Sequence, residues 1–172
     1  MAYFTKQEAR NYAKRSITAS VESYSRVESY SSKLESIVES QNNQRQFDVF
    51  LSHSIRDEEL ILGIVEFLKQ MGKEVYVDWI EDRQLSRSSV TPETAETLRQ
   101  RMNQSSRLLY LATDNASSSK WMPWELGYFD GLKSGNVAIL PLVDSAYSSF
   151  QGQEYLGLYP ALGKDDLREF LG

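Results

Sequence analysis

From Phe47 onward, short runs of β-branched, aliphatic and aromatic residues alternate with longer amphipathic stretches. The short runs at 47–52, 75–79, 108–113 and 137–143 read as strands. The first three are nearly continuous in bulky side chains, as strands covered on both faces are. The stretches between them read as helices with recognisable ends. One begins at Ser54, whose hydroxyl caps while Asp57 answers three residues on, and carries Leu60, Ile61, Ile64, Val65, Leu68 and Met71 toward a stop at Gly72. A second takes Thr91 as its cap and Pro92 as its first residue, with Ala95, Leu98 and Met102 on one face. A third opens at Trp121 with Pro123 in its first turn, where a missing amide hydrogen costs little. Residues 153–159 read as a last edge strand and 164–171 as a short final helix. Repeated strand, helix, strand units imply an α/β fold with a doubly wound parallel sheet, helices on both sides.

Residues 1–46 have a different pattern. They are rich in Ser, Glu, Gln, Asn and Tyr and contain no Gly or Pro. Ile17, Val21, Tyr24, Val27, Leu34 and Val38 recur at steps built from threes and fours, which draws one narrow apolar stripe along a polar helical rod. Such a stripe needs a partner: its own domain, a second copy, or none if the segment stays partly disordered, with pairing between copies ranked first. Residues 41–46 read as a polar linker, so the chain divides into an N-terminal helical segment and linker, 1–46, and an α/β domain, 47–172.

Ligands of doubly wound sheets bind beyond the carboxyl ends of the strands, near the point where strand order reverses. That rule selects Ser52, His53 and Ser54, then Asp78 and Trp79, then Thr113 and Asp114, and finally Trp121 with Glu125. Glu125 stands out because its neighbours, Trp121, Met122, Trp124, Leu126, Tyr128 and Phe129, are apolar or aromatic. Two accounts are open for it. It is a first-turn acid complementing the helix dipole, worth about a few tenths of a kcal/mol, or a carboxylate framed by rings for a cationic or hydroxyl-bearing ligand. The chain's one histidine, His53, falls on the same rim, and this convergence favours the second account.

Composition narrows the chemistry. The 172 residues carry a net charge of −5 and no cysteine. The charge argues against nucleic acid as the main partner, and the absent thiols exclude disulfides and Cys nucleophiles. No apolar run resembles a signal peptide or a membrane span, so a soluble cytoplasmic protein is expected. Neither a Walker loop nor a GxGxxG turn is present, and no serine sits in a GxSxG elbow. With one His, no protein-supplied metal centre is expected; Asp57, Glu58 and Glu59 read as a solvated first helical turn.

The run Phe47-Asp48-Val49-Phe50-Leu51-Ser52-His53, the acidic helix start, Val75-Tyr76-Val77-Asp78-Trp79, and Trp121-x-x-x-Glu125-Leu126, in that order, resemble a bacterial Toll/interleukin-1 receptor (TIR) domain from Phe47 to about Leu171. The resemblance implies a flavodoxin-like fold and, as in many bacterial members, cleavage of NAD between nicotinamide and ribose, with an ADP-ribose-type product that is sometimes cyclic. In antiphage systems of the Thoeris type such a product signals to a separate effector. The resemblance makes Glu125 the catalytic residue. It places Ser52, His53, Asp78, Trp79 and Trp121 around the substrate, and Arg56, Arg83 and Arg87 near its pyrophosphate. NAD is then the substrate, with no further cofactor, and activity follows assembly through TIR contacts and the N-terminal helix. The alternative is a non-catalytic TIR scaffold. The 80–91 loop lacks the late glycine that many members carry.

Overall fold

The computed structural model describes residues 2–21, 29–78 and 91–172. In chain order these form β1 (Phe4–Thr5), α1 (Lys6–Val21), α2 (Tyr30–Gln41), β2 (Phe47–Ser52), α3 (Glu58–Gln70), β3 (Val75–Tyr76), α4 (Pro92–Asn103), β4 (Ser105–Ala112), α5 (Trp121–Leu132), β5 (Val137–Val143) and α6 (Lys164–Leu171). The five strands make one parallel sheet in the order β1-β5-β4-β2-β3. Period-2 alternation sends Val49, Leu51, Leu109 and Leu111 to one face, where they pack with Ala9 and Ala13 of α1, Leu34 and Ile37 of α2, Ile61 and Ile64 of α3 and Leu167 of α6. Phe50, Leu108 and Tyr110 face the other way, onto Leu98 and Met102 of α4 and Met122, Leu126 and Phe129 of α5. The α/β doubly wound architecture read from the pattern is the one observed.

Several ends are where the sequence puts them. Thr91 accepts a hydrogen bond from the Thr94 amide and Pro92 opens α4. Beyond α3, Gly72 turns the chain at φ 78°, a conformation that suits glycine. Other expectations change. The cap of α3 is Asp57 rather than Ser54, and Asp57 makes no side-chain cap bond because its carboxylate is engaged elsewhere. Strand β4 starts at Ser105, where pairing with Phe47 lengthens the ladder beyond the apolar run.

The expected edge strand at 153–159 is instead a 3₁₀ turn, Glu154–Leu158, which drives Leu156 into the α4/α5 core. The edge of β5 is covered by two separate pieces of chain. Phe4 and Thr5 pair with Leu142 and Val143, while Ala161 bridges to Ile139. The Lys164 amide donates to the Ala2 carbonyl at 3.0 Å, joining the pieces.

Residues 4–21 are thus woven into the sheet and its core. Helices α1 and α2 both lie against α3 of their own chain, with Leu34 fully buried and Ile17 and Val38 packed at the margin. Both helices thus pack on their own domain; Tyr24 and Val27 of the stripe lie outside the described residues. The contact between α1 and α3 is close because residue 63 is glycine: a Cβ there would sit 1.9 Å from the Ala9 carbonyl oxygen.

The linker expected to start at Gln41 starts one residue later. Gln41 ends α2, is buried, and pairs with β3 as a strand would: its amide nitrogen donates to the Val77 carbonyl at 3.1 Å and its oxygen accepts from the Val77 amide at 2.8 Å. A side chain therefore closes the backbone groups just past the last paired residue of β3, next to Asp78.

Candidate active site

Strand order reverses between β2 and β4, so the loops beyond their carboxyl ends border the crevice where such sheets take ligands. Ser52 ends β2, His53 and Ser54 follow it, and all three are buried. Asp57 ties this loop to the one after β4, since its carboxylate accepts from the Thr113 hydroxyl and, at 2.7 Å, from the Asn115 amide. The two loops that frame the crevice are thereby fixed to each other, at the expense of the cap on α3.

The sequence treats Glu125 as a possible first-turn acid, but α5 begins at Trp121 and Glu125 lies in its second turn, 5% exposed. The dipole account therefore loses its basis, since that effect fades beyond the first turn. The carboxylate is instead on the buried side of α5, toward the sheet. Beneath that helix, Ser52 of β2 is paired in register with Tyr110 of β4 and shares its face of the sheet. The Ser52 hydroxyl is buried with no hydrogen-bond partner among the described residues. The Tyr110 phenol is held well above its ordinary pKa by burial, by the Tyr155 hydroxyl at 3.4 Å and by the charge of Glu125. Ser52 and Tyr110 thus share one face at the carboxyl end of the sheet, and Glu125 is buried on the helix that covers that face, near enough for its charge to act on Tyr110.

Neither Tyr110 nor Tyr155 was selected from sequence. A tyrosine inside an apolar strand reads as core, and only the register with Ser52 distinguishes it.

His53 is enclosed, and burial pushes its imidazole down to about 4, against a backbone hydrogen bond with Ser54 that works to raise it. It is neutral near pH 7 and can serve as a hydrogen-bonding group without a net charge. In the unfolded chain the same imidazole protonates near about 6.5. Between the two values the unfolded state holds the extra proton, so stability is lost as pH falls through this window. Urea unfolding is expected to show about 2 kcal/mol less stability at pH 5 than at pH 7 from this group. His53→Gln should remove that portion of the slope, and an identical slope in the variant would contradict the assignment.

Asp78 is buried two residues beyond β3 and accepts from the Tyr76 phenol at 3.5 Å. Trp121 is half-buried and meets Trp124 edge to face at 5.3 Å. Trp124 stacks on Tyr128 at 5.7 Å, and the Arg99 guanidinium lies over both of these outer rings. Phe129 is in the core, so the rings around Glu125 divide between an inner and an outer set.

Arg56 is exposed and lines a hollow of about 390 Å³ with Arg10, Tyr30, Asp57, Thr113 and Asn115. A second hollow, about 540 Å³, lies beyond β4 and β5. There Lys6 bridges Asp114 at 2.6 Å and Asp144 at 3.1 Å. Glu125 lines neither of these two hollows. Trp79, Arg83 and Arg87, expected near the substrate, lie outside the described residues. Among the described residues no helix is long and apolar enough to cross a membrane, and no cluster of three or more His, Asp or Glu could hold a metal ion.

Comparison with known proteins adds to this geometry. A curated protein of Bacillus cereus (strain MSX-D12), named "Probable 3' cyclic ADP-D-ribose synthase ThsB'", is 45% identical over 165 residues, covering 95% of this chain and 84% of its own. A second, "Putative cyclic ADP-D-ribose synthase TIR2" of Cytobacillus dafuensis, is 35% identical over 94 residues, covering 53% of this chain and 25% of its own. The crystal structure of the TIR domain of the Toll-related receptor TRR-2 from Hydra magnipapillata aligns at a TM-score of 0.48 and 16% identity, over 73% of this chain and 92% of that one. The family pattern of the TIR domain matches residues 49–168. Most of the chain is covered by that match, and with a relative so similar along nearly its whole length, the chain belongs to the TIR domain family.

Proposed function

We propose that this TIR protein cleaves the bond between nicotinamide and ribose in NAD and closes the remaining ADP-ribose into a cyclic isomer. The observation that carries the proposal is Glu125, a carboxylate set into the buried side of α5 over Ser52 and Tyr110, in a chain 45% identical to a protein named as a cyclic ADP-ribose synthase.

The chemistry follows from the substrate. Nicotinamide in NAD is already cationic, so the C1–N bond breaks with both electrons going to the ring nitrogen, and neutral nicotinamide leaves without acid help. What needs stabilising is the oxocarbenium-like ribose left behind. Glu125 opposes that charge and engages the ribose hydroxyls. A hydroxyl of the adenosine ribose of the same molecule then attacks C1, its oxygen forming the new bond and its proton passing to Glu125. Exclusion of water decides cyclisation over hydrolysis, and burial of the Glu125 surroundings favours that outcome.

Ser52 and His53 are assigned to hold the ribose or the nicotinamide amide, Asp78 and Trp121 to line the substrate, and Trp79 to wall it from water. Arg56, Arg83 and Arg87 remain assigned to the pyrophosphate. Assembly of several copies, which completes the site in the family, belongs to the same reading, as does a nucleotide product serving as a signal in antiphage defence. Concentrated purified protein incubated with NAD is expected to release nicotinamide and a product of cyclic ADP-ribose mass, read by liquid chromatography and mass spectrometry. Linear ADP-ribose as the only product would remove the cyclisation step, and unchanged NAD at every concentration would favour the scaffold.

A further inference from the structure

Strand β3 is short for what it carries. Only Val75 and Tyr76 pair with β2, and among the described residues no strand lies beyond β3 in the sheet. The Val49 amide donates to the Glu74 carbonyl. Alternation along the strand then turns Tyr76 toward β2 and the amide and carbonyl of Val77 outward. At an open edge those two groups have no strand to pair with. The next residue is Asp78, which is buried and assigned to line the substrate.

Gln41 meets both groups. Its nitrogen donates to the Val77 carbonyl at 3.1 Å and its oxygen accepts from the Val77 amide at 2.8 Å. Gln41 is itself held in place. Leu34 and Ile37 bury α2 in the core, and near the other end of that helix the Ser31 hydroxyl donates to Glu58 of α3 at 2.7 Å. Past Gln41, Arg101 of α4 donates to the Gln44 carbonyl at 2.8 Å, and the Gln44 side chain donates to Glu74, just before β3, at 3.0 Å. Residues 41 and 44 thus brace β3 at both ends from outside the sheet.

We infer that Gln41 is a positioning residue for the substrate site: by pairing with Val77 it fixes where the chain leaves β3, and with it the direction of Asp78. The consequence for the substrate rests on the NAD-cleaving reading; the placement of Asp78 does not. Gln41→Met fills a similar volume and offers neither bond. In the full chain it is expected to raise KM for NAD about tenfold with kcat within about twofold of the parent, because a contact made equally in ground and transition states acts on binding alone. A residue that only stabilised the fold would lower the active fraction, and so the apparent kcat, and leave KM as it is. The ratio of variant to parent KM should be the same at every protein concentration, since both bonds lie within one chain. Gln41→Glu keeps the acceptor for the Val77 amide and should give a KM between the two; it carries the same test where Gln41→Met does not fold.

A second readout needs no turnover. Residual dipolar couplings measured by NMR report the direction of each backbone N–H bond. In the variants those of Val77 and Asp78 are expected to change, while those of Val49 and Leu109, inside the sheet, stay as in the parent.

Unchanged couplings at Asp78 overturn the positioning role whether or not the protein consumes NAD. Changed couplings, in a protein whose parent leaves NAD intact, overturn the NAD reading and keep the placement. With an active parent, an unchanged KM, a loss confined to kcat, or a KM effect that disappears as the protein is concentrated overturns the inference.

Discussion

Glu125→Gln is expected to lower NAD consumption about 10²–10³-fold, equivalent to about 3–4 kcal/mol of lost transition-state stabilisation. Gln keeps the shape and part of the hydrogen bonding of the side chain but removes the charge that faces the oxocarbenium-like ribose. KM is expected to change less than kcat, because neutral hydroxyl contacts in the ground state survive the substitution while the charge complement in the transition state does not. The fold should persist, since the substitution preserves side-chain volume, and thermal melting is expected close to the parent value. Nicotinamide release by liquid chromatography, at matched concentrations of folded protein, is the measurement. Turnover within a few-fold of the parent would remove Glu125 from the chemistry.

The largest expected effect on stability is at Gly63. A Cβ at this position would lie 1.9 Å from the Ala9 carbonyl oxygen, far inside the usual contact distance, and the obstructing atom is helix backbone that cannot rotate away. Gly63→Ala must therefore push α1 off α3 or distort one of them. The intrinsic preference of Ala for helices, about 1 kcal/mol, is outweighed. Separating the helices uncovers Ala9 and Ala13, both fully buried, and loosens Phe4, which packs against Phe67 and Tyr12. A net loss of about 2–4 kcal/mol is expected, a fall in Tm of roughly 5–15 °C for a chain of this size. Limited proteolysis should cut within residues 6–21 first. A variant that melts with the parent and resists protease equally would show that the two helices do not need this close approach.

The core of the architecture was legible because it rests on period and punctuation. Val49 and Leu51 against Phe50, the Thr91-Pro92 start and the Gly72 stop each carry a local physical cause that tertiary contacts reinforce. The strand-end rule likewise selected Ser52, His53 and Glu125, which the sheet and α5 place at the carboxyl end of the fold. What was not legible depended on distant partners. Phe4-Thr5 is too short to show a period and becomes a strand only because β5 offers an open edge. Gln41 reads as linker until Val77 is placed beside it. Asp57 looks like a capping acid until Thr113 and Asn115 compete for it, and Tyr155 looks like a strand residue until Leu156 is seen to be a core residue.

The two-piece strand beside β5 has a consequence for how the molecule is made. Phe4 and Thr5 are translated long before Leu142 and Val143, and Ala2 waits longer still for Lys164. Docking of the leading residues is therefore a late event, slow by the logic of distant contacts, and α1 must find α3 without it. A nascent chain halted before Ala161 would carry β5 with part of its flank bare, a template on which other unfinished chains could add strands.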